Sequence, residues 1–316
     1  MSVGSRPLVP SRLSPGGVAA HGARKAPTSV FGGYIVLMKL RVVELLLITT
    51  VPTMVLAEQG WPSWGLVAIT LIGGTLAAGG ANAINMVIDR DIDALMERTK
   101  TRPMVTGLIS PRDAMIFALA LEAAAFGVLW AGANLLAAVL ALSATLFYVF
   151  VYTLWLKRTS RQNIVIGGAA GAVPVLVGWA AVQNSLSWEP FILFIAIFLW
   201  TPPHFWALAI RHADEYKAAG VPMMPSVVPM KQTVRQMFVY AVLLTIVTLI
   251  LGGVADLGLT YLISATVLGL GFIASTIDLG RHPTASRAMR VFGFSITYVT
   301  VLFTAMAVDV LIKHGV

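Results

Sequence analysis

The stretch from 59 to 88, QGWPSWGLVAITLIGGTLAAGGANAINMVI, has no charged residue in 30 positions, and the acidic run DRDID follows it at 89–93. About 20 apolar residues in a helix cross the hydrocarbon core of a bilayer. Backbone groups at that depth are satisfied only within a helix or a closed barrel. The stretch therefore predicts a transmembrane helix that ends in a cluster of carboxylates.

The composition of the chain agrees with a membrane protein. Hydrophobic residues make up 58% of the chain, charged residues only 11%, and the mean hydropathy is +0.84. Soluble domains carry roughly 25% charged residues, so a soluble protein is excluded. The net charge of +8 would suggest nucleic acid as the partner of a soluble chain. Here we expect the lipid bilayer and no nucleic acid. The absence of cysteine excludes disulfides and thiolate metal sites.

Further uncharged runs predict an all-α, polytopic fold. The longest of them, 123–156, is too long for one helix and breaks naturally at 132–134. Residues 1–27, rich in Pro, Gly, Ser and Arg, are expected to be a disordered cytoplasmic tail, followed by one transmembrane domain over 28–316. The nine predicted transmembrane helices are about 30–56, 59–88, 114–131, 135–156, 162–188, 190–210, 236–255, 257–277 and 291–308.

The basic residues indicate the orientation. If nine helices alternate, 21 of the 22 Lys and Arg residues fall on one side, and only Lys313 falls on the other. The positive-inside rule then places the N-terminus and the basic loops in the cytoplasm. Because the basic tail is short and shows no clear amphipathic helix, a bacterial plasma membrane is favoured over the mitochondrial inner membrane.

Three polar side chains at the end of the first apolar stretch share a spacing of four. Asn85, Asp89 and Asp93 form one stripe on a helix, whereas Asp91 lies off it and is expected to be solvated. Carboxylate and amide oxygens suit Mg²⁺, which prefers carboxylates together with substrate phosphates. The alternative is an ordinary charged helix end at the membrane interface.

Cations lie beside these carboxylates. Arg98, Lys100 and Arg102 follow the acidic run, and Lys157 and Arg158 end the fourth predicted helix. Lys and Arg beside metal-binding carboxylates favour a polyphosphate ligand, whose remaining charge they neutralise. Positive-inside anchoring is the alternative for the second cluster.

A second acidic site, Asp214 and Glu215, follows the sixth predicted helix. His204, Arg211 and Glu215 are spaced to share a face of that helix, and two prolines directly before His204 predict a kink that aims its ring. An ionisable side chain at membrane depth is a candidate functional group. A hydrogen-bonded histidine with a structural role remains the alternative.

Two of these motifs resemble the UbiA superfamily of intramembrane prenyltransferases. NMVIDRDID (85–93) is similar to the first aspartate-rich motif of that superfamily, and YTLWLKRTS (152–160) to its Tyr-x-x-x-x-Lys-Arg segment. The resemblance covers about 30–310. Four longer segments are similar to the branch of the superfamily that acts on haem: 81–103, 163–179, 201–210 and 214–225.

The resemblance implies a nine-helix bundle around a central cavity and transfer of a farnesyl group from farnesyl diphosphate to a vinyl group of haem B, with addition of water. It also implies that Asn85, Asp89 and Asp93 bind Mg²⁺ and diphosphate, opposite Asp214 and Glu215. Haem B is then a substrate rather than a cofactor, and a downstream haem-modifying enzyme or terminal oxidase assembly would receive the product.

The sequence departs from the family pattern at the second acidic site, where the superfamily usually has several aspartates. This chain offers only one pair there, so which of its two carboxylates points inward is open, as is a second metal. His204 is a candidate for placing the haem, with Arg211 on the same face.

Two other functions compete with haem farnesylation. The first keeps the fold but takes an aromatic acid or a quinone precursor as the acceptor. The second is a secondary transporter, which is disfavoured because transporter sites lie near the bilayer midplane and these carboxylates lie at helix ends.

Overall fold

The computed structural model describes the backbone of residues 26–315, with all of their side chains except those of 41, 42 and 44–46. Every regular element within this range is helical. A π-helix (Phe147–Leu156) joins α7 to α8. The α-helices are α1 (Val30–Met38), α2 (Leu40–Glu58), α3 (Trp64–Ile88), α4 (Arg90–Leu95), α5 (Pro103–Thr106), α6 (Pro111–Gly132), α7 (Leu135–Leu146), α8 (Lys157–Thr159), α9 (Asn163–Gln183), α10 (Trp188–Arg211), α11 (Ala213–Ala218), α12 (Met224–Val227), α13 (Met230–Val254), α14 (Leu259–Arg281) and α15 (Ala285–His314).

Eight helical segments of the described chain are long and apolar enough to cross a membrane, which confirms the all-α membrane fold. The third of them is continuous from α7 through the π-helix to α8. The eight are Trp64–Ile88, Pro111–Gly132, Leu135–Thr159, Asn163–Gln183, Trp188–Arg211, Met230–Val254, Leu259–Arg281 and Ala285–His314. The count of nine and the orientation stay predictions. The tail predicted over 1–27 lies, apart from its last two residues, outside the described residues.

The prediction of one continuous helix over 30–56 is wrong. The chain breaks at Lys39, whose φ of 51° is left-handed and whose N–H ends α1 by donating to the carbonyl of Val36. A left-handed conformation is costly for a residue with a Cβ, so surrounding contacts must hold Lys39 in place. The break divides the segment into α1 and α2.

The long helices pack around α10, which lies against α9, α13 and α15, while α3 packs against α6 and α2 against α9 and α15. The largest fully buried side chains include Trp206, Tyr261 and Phe272. Large apolar side chains such as Phe150 and Val267 are exposed on the outside. Water-soluble monomers rarely expose apolar surface on this scale, and here lipid covers it.

Two glycines of α9 allow close helix contacts. A Cβ on Gly178 would lie 2.9 Å from the carbonyl oxygen of Thr50 on α2. A Cβ on Gly167 would lie 2.3 Å from the ring of Tyr152. Small residues at helix interfaces let membrane helices approach in this way. Gly167 thereby fixes the position of the Tyr152 ring on the π-helix.

A buried carboxylate ties α15 to the start of α14. Asp309 is 5% exposed, and its Oδ2 accepts a hydrogen bond of 2.5 Å from the N–H of Gly258. Its Oδ1 accepts a longer one, of 3.3 Å, from the N–H of Tyr261. The first N–H groups of a helix have no partner within the helix and carry partial positive charge. Asp309 therefore caps α14 from a different helix.

Replacing this carboxylate should destabilise the bundle. Asp309→Ala leaves the N–H groups of Gly258 and of the buried Tyr261 without their acceptor, and an unsatisfied buried N–H costs about 1–3 kcal/mol of unfolding free energy. We expect a lower thermal unfolding midpoint in detergent. Asp256→Asn is the matched control, because Asp256 pairs with Lys313 at the exposed surface and its loss should change the midpoint little. Equal midpoints for the two variants would contradict the capping role.

Candidate active site

The candidate site begins where α3 ends. Asp89 caps α3, its N–H donating to the carbonyl of Asn85, and the N–H of Asp93 donates to the carbonyl of Asp89. This i, i+4 pattern carries the helical register from α3 into α4. Asn85, Asp89 and Asp93 are 2%, 0% and 2% exposed, so an amide and two carboxylates lie buried along one face.

Asn85 connects three segments of the chain. Its Nδ2 donates to Asp89 Oδ2 at 2.7 Å and to Thr153 Oγ1 at 3.1 Å. Its Oδ1 accepts a hydrogen bond of 2.8 Å from Lys39 Nζ. The break between α1 and α2 thus places the Lys39 amino group beside the predicted amide–carboxylate stripe.

Asp89 lies among cations. Lys157 Nζ forms a short ion pair with Asp89 Oδ2. Asp89 Oδ1 has Arg158 Nη2 at 3.9 Å, and it is a buried oxygen without a hydrogen-bond partner. An unpaired carboxylate oxygen in a buried position is costly unless a ligand or ion uses it.

The π-helix places Lys157 and Arg158, which follow it in the chain, beside the carboxylates. Its wider turn lets Thr153 Oγ1 donate to the carbonyl of Tyr148, five residues earlier, and brings Thr153 to Asn85. Tyr148 and Tyr152 stack at 5.3 Å between ring centroids. Lys157 follows directly after this segment. Such π segments often occur at functional sites.

Asp93 has its own cation. Arg102 Nη1 donates to Asp93 Oδ2 at 2.6 Å, and the hydroxyl of Thr99 donates to the Asp93 carbonyl at 2.9 Å. Arg102 therefore reaches the stripe, and the loop between α4 and α5 is held against it.

Asp91 lies off the stripe and is exposed, and it also forms an ion pair with Arg158. Arg158 donates from both Nη atoms to the two Asp91 oxygens, at 2.7 and 2.8 Å, and also to the carbonyl of Ile88 at 3.1 Å. Hydrogen bonds from Arg158 hold the pKa of Asp91 at about 2, below its usual value. Arg158, predicted as a diphosphate ligand, is thus engaged by the acid off the stripe, because both lie at the outer edge of the site.

The remaining predicted cations, Arg98 and Lys100, are both exposed but have different partners. Arg98 donates to the Tyr216 hydroxyl at 2.9 Å and lies over its ring. Lys100 forms an exposed ion pair with Glu97 at 2.5 Å. Arg98 thus links the loop after α4 to α11, whereas Lys100 contacts only its neighbour in the same loop.

The two carboxylates of the second acidic site have different surroundings. Asp214 is exposed, whereas Glu215 accepts from the Arg98 N–H at 3.5 Å and lies 2.8 Å from His212 Nδ1. Of the two carboxylates, Glu215 is the one that contacts the loop after α4, at Arg98. The expectation that Glu215 shares a helix face with His204 and Arg211 is wrong, because α10 ends at Arg211 and a new helix starts after His212.

His204 lies between aromatic rings in the core. Its ring stacks on Trp200 at 4.2 Å and on Phe292 at 4.6 Å, and its Nδ1 lies 2.7 Å from Ser295 Oγ. Arg211, two turns further along α10, is exposed. The structure does not bring His204 into contact with the carboxylates of the first site.

Several site residues were not identified from the sequence. Local spacing in the sequence does not mark Lys39, Thr153 or Tyr216 as residues of this site. Tyr148 and Tyr152 are half-buried beside the first site. The sequence offers one indication of these residues, since Tyr152 and Thr153 lie in the same 152–160 segment as Lys157.

The donor atoms fit one divalent metal ion that also binds a ligand. No group of three or more acidic or histidine side chains in the described part of the chain is arranged to hold an ion alone. Mg²⁺ commonly takes one or two carboxylates and completes its shell with phosphate oxygens and water. The unpartnered Asp89 Oδ1 is the oxygen that fits this role.

Comparison with known proteins gives the same family as the motifs. The model of the UbiA prenyltransferase family matches residues 46–302. The protoheme IX farnesyltransferase of Parafrankia sp. is 50% identical over 306 residues, which are 93% of this chain and 95% of that protein. The protein of the same name from Pseudarthrobacter chlorophenolicus is 46% identical over 98% of this chain and 96% of its own length.

Solved structures show the same fold at low identity. A digeranylgeranylglyceryl phosphate synthase is 18% identical with a TM-score of 0.74, over 89% of this chain and 99% of that one. A UbiA homolog from Archaeoglobus fulgidus, bound to DMAPP and Mg²⁺, is 17% identical with a TM-score of 0.58, over 86% and 99%.

The buried ion pair should be energetically coupled. Lys157→Met leaves the Asp89 carboxylate without its cation and should lower the unfolding free energy by about 3 kcal/mol. Adding Asp89→Asn should recover much of this loss, since it removes the stranded charge. Thermal unfolding of the single and double variants in detergent measures the coupling. The exposed pair Lys100–Glu97 serves as the control and should show almost none. Additive effects at Lys157 and Asp89 would refute the coupling.

Proposed function

This chain belongs to the UbiA prenyltransferase family, and on that premise we propose that it transfers the farnesyl group of farnesyl diphosphate to a vinyl group of haem B, giving haem O. The observation that carries the proposal is Asp89, fully buried, with one oxygen unpartnered and with cations of the chain around it. Such a site suits a metal-bound polyphosphate, because the cations neutralise charge that the metal leaves over.

The part of the site proposed to bind farnesyl diphosphate consists of the Asn85, Asp89 and Asp93 stripe and the cations beside it. Lys157, Arg102 and Arg98 are assigned to the diphosphate, with Lys100 and Arg158 at the rim. Mg²⁺ held by Asp89 and Asp93, with Asn85 beside them, would place positive charge on the diphosphate oxygens. Glu215 rather than Asp214 is the carboxylate that would meet the diphosphate from the second site.

The reaction requires no nucleophile from the protein. The bond between C1 of the farnesyl group and the diphosphate oxygen breaks, and both electrons leave with diphosphate. The electron pair of the vinyl double bond then forms the new carbon–carbon bond. Water adds to the cation left next to the pyrrole ring, and loss of a proton gives the hydroxyl group. The protein's contribution is to stabilise the departing charge and to keep the allylic cation away from water until the bond forms.

The proposal for the acceptor is supported by the names of the relatives and by the residues of α10. Two proteins about half identical to this chain carry the name protoheme IX farnesyltransferase, which supports haem as the acceptor. His204 is proposed to place the haem, and Arg211, on the same face of α10 and exposed near its end, to pair with a propionate. Both roles call for direct tests.

The setting of the reaction follows from the basic loops. We place the protein in a bacterial plasma membrane, with the carboxylate site open to the cytoplasm. Farnesyl diphosphate then arrives from the cytoplasm and haem from the bilayer. A haem-modifying enzyme or a terminal oxidase assembly would consume the product.

The decisive experiment combines the purified protein, haem B, farnesyl diphosphate and Mg²⁺, and measures the product by mass. The expected product is haem B plus one farnesyl group and one hydroxyl group, with the hydroxyl oxygen derived from isotopically labelled water. A parallel reaction offers a hydroxylated aromatic acid instead of haem. A prenylated aromatic acid without any haem product would overturn the assignment of the acceptor.

The three aspartates after α3 should differ in their effect on turnover. Asp89→Asn and Asp93→Asn should each lower kcat about a hundredfold or more, because stabilisation of the leaving charge is lost. Asp91→Asn should be far milder, since Asp91 only holds Arg158 at the rim. Initial rates at saturating substrates measure the difference, and circular dichroism checks the fold. Similar losses for all three variants would refute the distinction.

The orientation can be tested because the chain has no cysteine. A single cysteine at Ala218, exposed at the end of α11, should react with an impermeant maleimide only from the cytoplasmic side. A single cysteine at Ser185, exposed between α9 and α10, should react only from the opposite side. Labelling of right-side-out and inverted vesicles gives the comparison. The reverse pattern would place the carboxylate site outside the cell.

A further inference from the structure

His204 is held by α15 as well as by its own helix. The ring is 5% exposed and lies between Trp200 and Phe292. Ser295, on α15, meets the ring edge with its hydroxyl at 2.7 Å from Nδ1. The Trp200 indole N–H donates to the Ser295 carbonyl at 2.8 Å, so one residue of α15 contacts two side chains of α10.

The Ser295 hydroxyl has a single proton, and that proton is already used. Its Oγ donates to the carbonyl of Phe292 at 2.6 Å. A hydroxyl that donates elsewhere can only accept in a second hydrogen bond. The contact with His204 is therefore a hydrogen bond from the imidazole Nδ1–H to Ser295 Oγ.

This hydrogen bond determines the tautomer of His204. In a neutral imidazole with its proton on Nδ1, the lone pair lies on Nε2. Nε2 makes no hydrogen bond with any described residue, and it is not one of the fully enclosed polar atoms without a partner. The ring therefore presents an available lone pair on the edge that faces away from Ser295.

We propose that Ser295 is a positioning residue that holds His204 as the Nδ1–H tautomer, so that Nε2 can ligate the iron of the incoming haem. The ligation rests on the proposed function, whereas the tautomer does not. A histidine that binds metal through one nitrogen commonly donates its other N–H to an acceptor, which fixes the ring and raises the basicity of the ligating nitrogen. The backbone carbonyl of Phe292 extends this arrangement by accepting the hydrogen bond of the Ser295 hydroxyl.

The tautomer can be measured without any substrate. Protein grown with isotope-labelled histidine gives ring-nitrogen chemical shifts that distinguish N–H from lone-pair nitrogens, and the His204 signals are those lost in His204→Ala. We expect the Nδ1–H form in the native protein and a mixture of tautomers in Ser295→Ala. An Nε2–H form in the native protein overturns the proposal.

Haem binding tests the consequence for the iron. Titration with ferric haem B should show a Soret band shift that His204→Ala abolishes. Ser295→Ala should weaken haem affinity about ten- to hundredfold, while farnesyl diphosphate affinity stays unchanged. Thr276→Val is the control, because its hydroxyl is equally buried but bonds only the carbonyl of Ile273, and its haem spectrum should match that of the native protein.

The proposed function and the positioning role of Ser295 can be refuted separately. If the native protein does not bind haem at all, the proposed function fails, and the tautomer measurement still stands. If the native protein binds haem but Ser295→Ala has the same spectrum and affinity, the role of Ser295 is refuted. A loss of haem affinity that Thr276→Val shares equally would also refute it, because general loosening of the bundle would then be the cause.

Discussion

A carboxylate buried at the end of a membrane helix is the constraint on which the rest of this site depends. Removing a charged group from water costs several kcal/mol unless a partner compensates it. Asp89 finds its partner in Lys157, 68 residues later in the chain. The pairing sets the π-helix against the end of α3, and the amide of Asn85 and the hydroxyl of Thr153 complete the contact. The break at Lys39 brings a further basic side chain to the same place.

The ionic and aromatic parts of the protein are built on different helices. Carboxylates and their cations belong to α3, α4, α8 and the loop before α5, whereas the rings around His204 belong to α10 and α15. The proposed substrates divide in the same way. A prenyl diphosphate has a highly charged end, and a haem has a broad apolar face with one metal at its centre. The ionic residues therefore suit the charged end of one proposed substrate, and the aromatic residues suit the apolar face of the other.

Local periodicity was sufficient for the helices and for the spacing of Asn85, Asp89 and Asp93, because both depend on residues close in sequence. It was insufficient wherever distant segments meet. Nothing near Lys39 indicates that its ammonium reaches Asn85, and the pairing of Arg158 with Asp91 needs the relative placement of α3 and α8. The helix end after Arg211 was also missed, because apolar spacing alone does not reveal a turn at His212. The sequence therefore predicts most of the helices, but it does not predict the contacts between residues that lie far apart in the chain.

In this structure each carboxylate of the first site already holds a cation of the chain, Lys157 on Asp89 and Arg102 on Asp93. A diphosphate arriving alone would draw these cations away and leave two buried negative charges behind. A divalent ion arriving alone would compete with the same cations for the same oxygens. If both ligands bind here as proposed, each would release the cations or oxygens that the other needs, and their binding would be thermodynamically linked. By reciprocity, the factor by which the metal strengthens diphosphate binding equals the factor by which diphosphate strengthens metal binding. On the proposed function, the site would therefore exchange its own cations for the two ligands, and it would favour the two ligands together over either one alone.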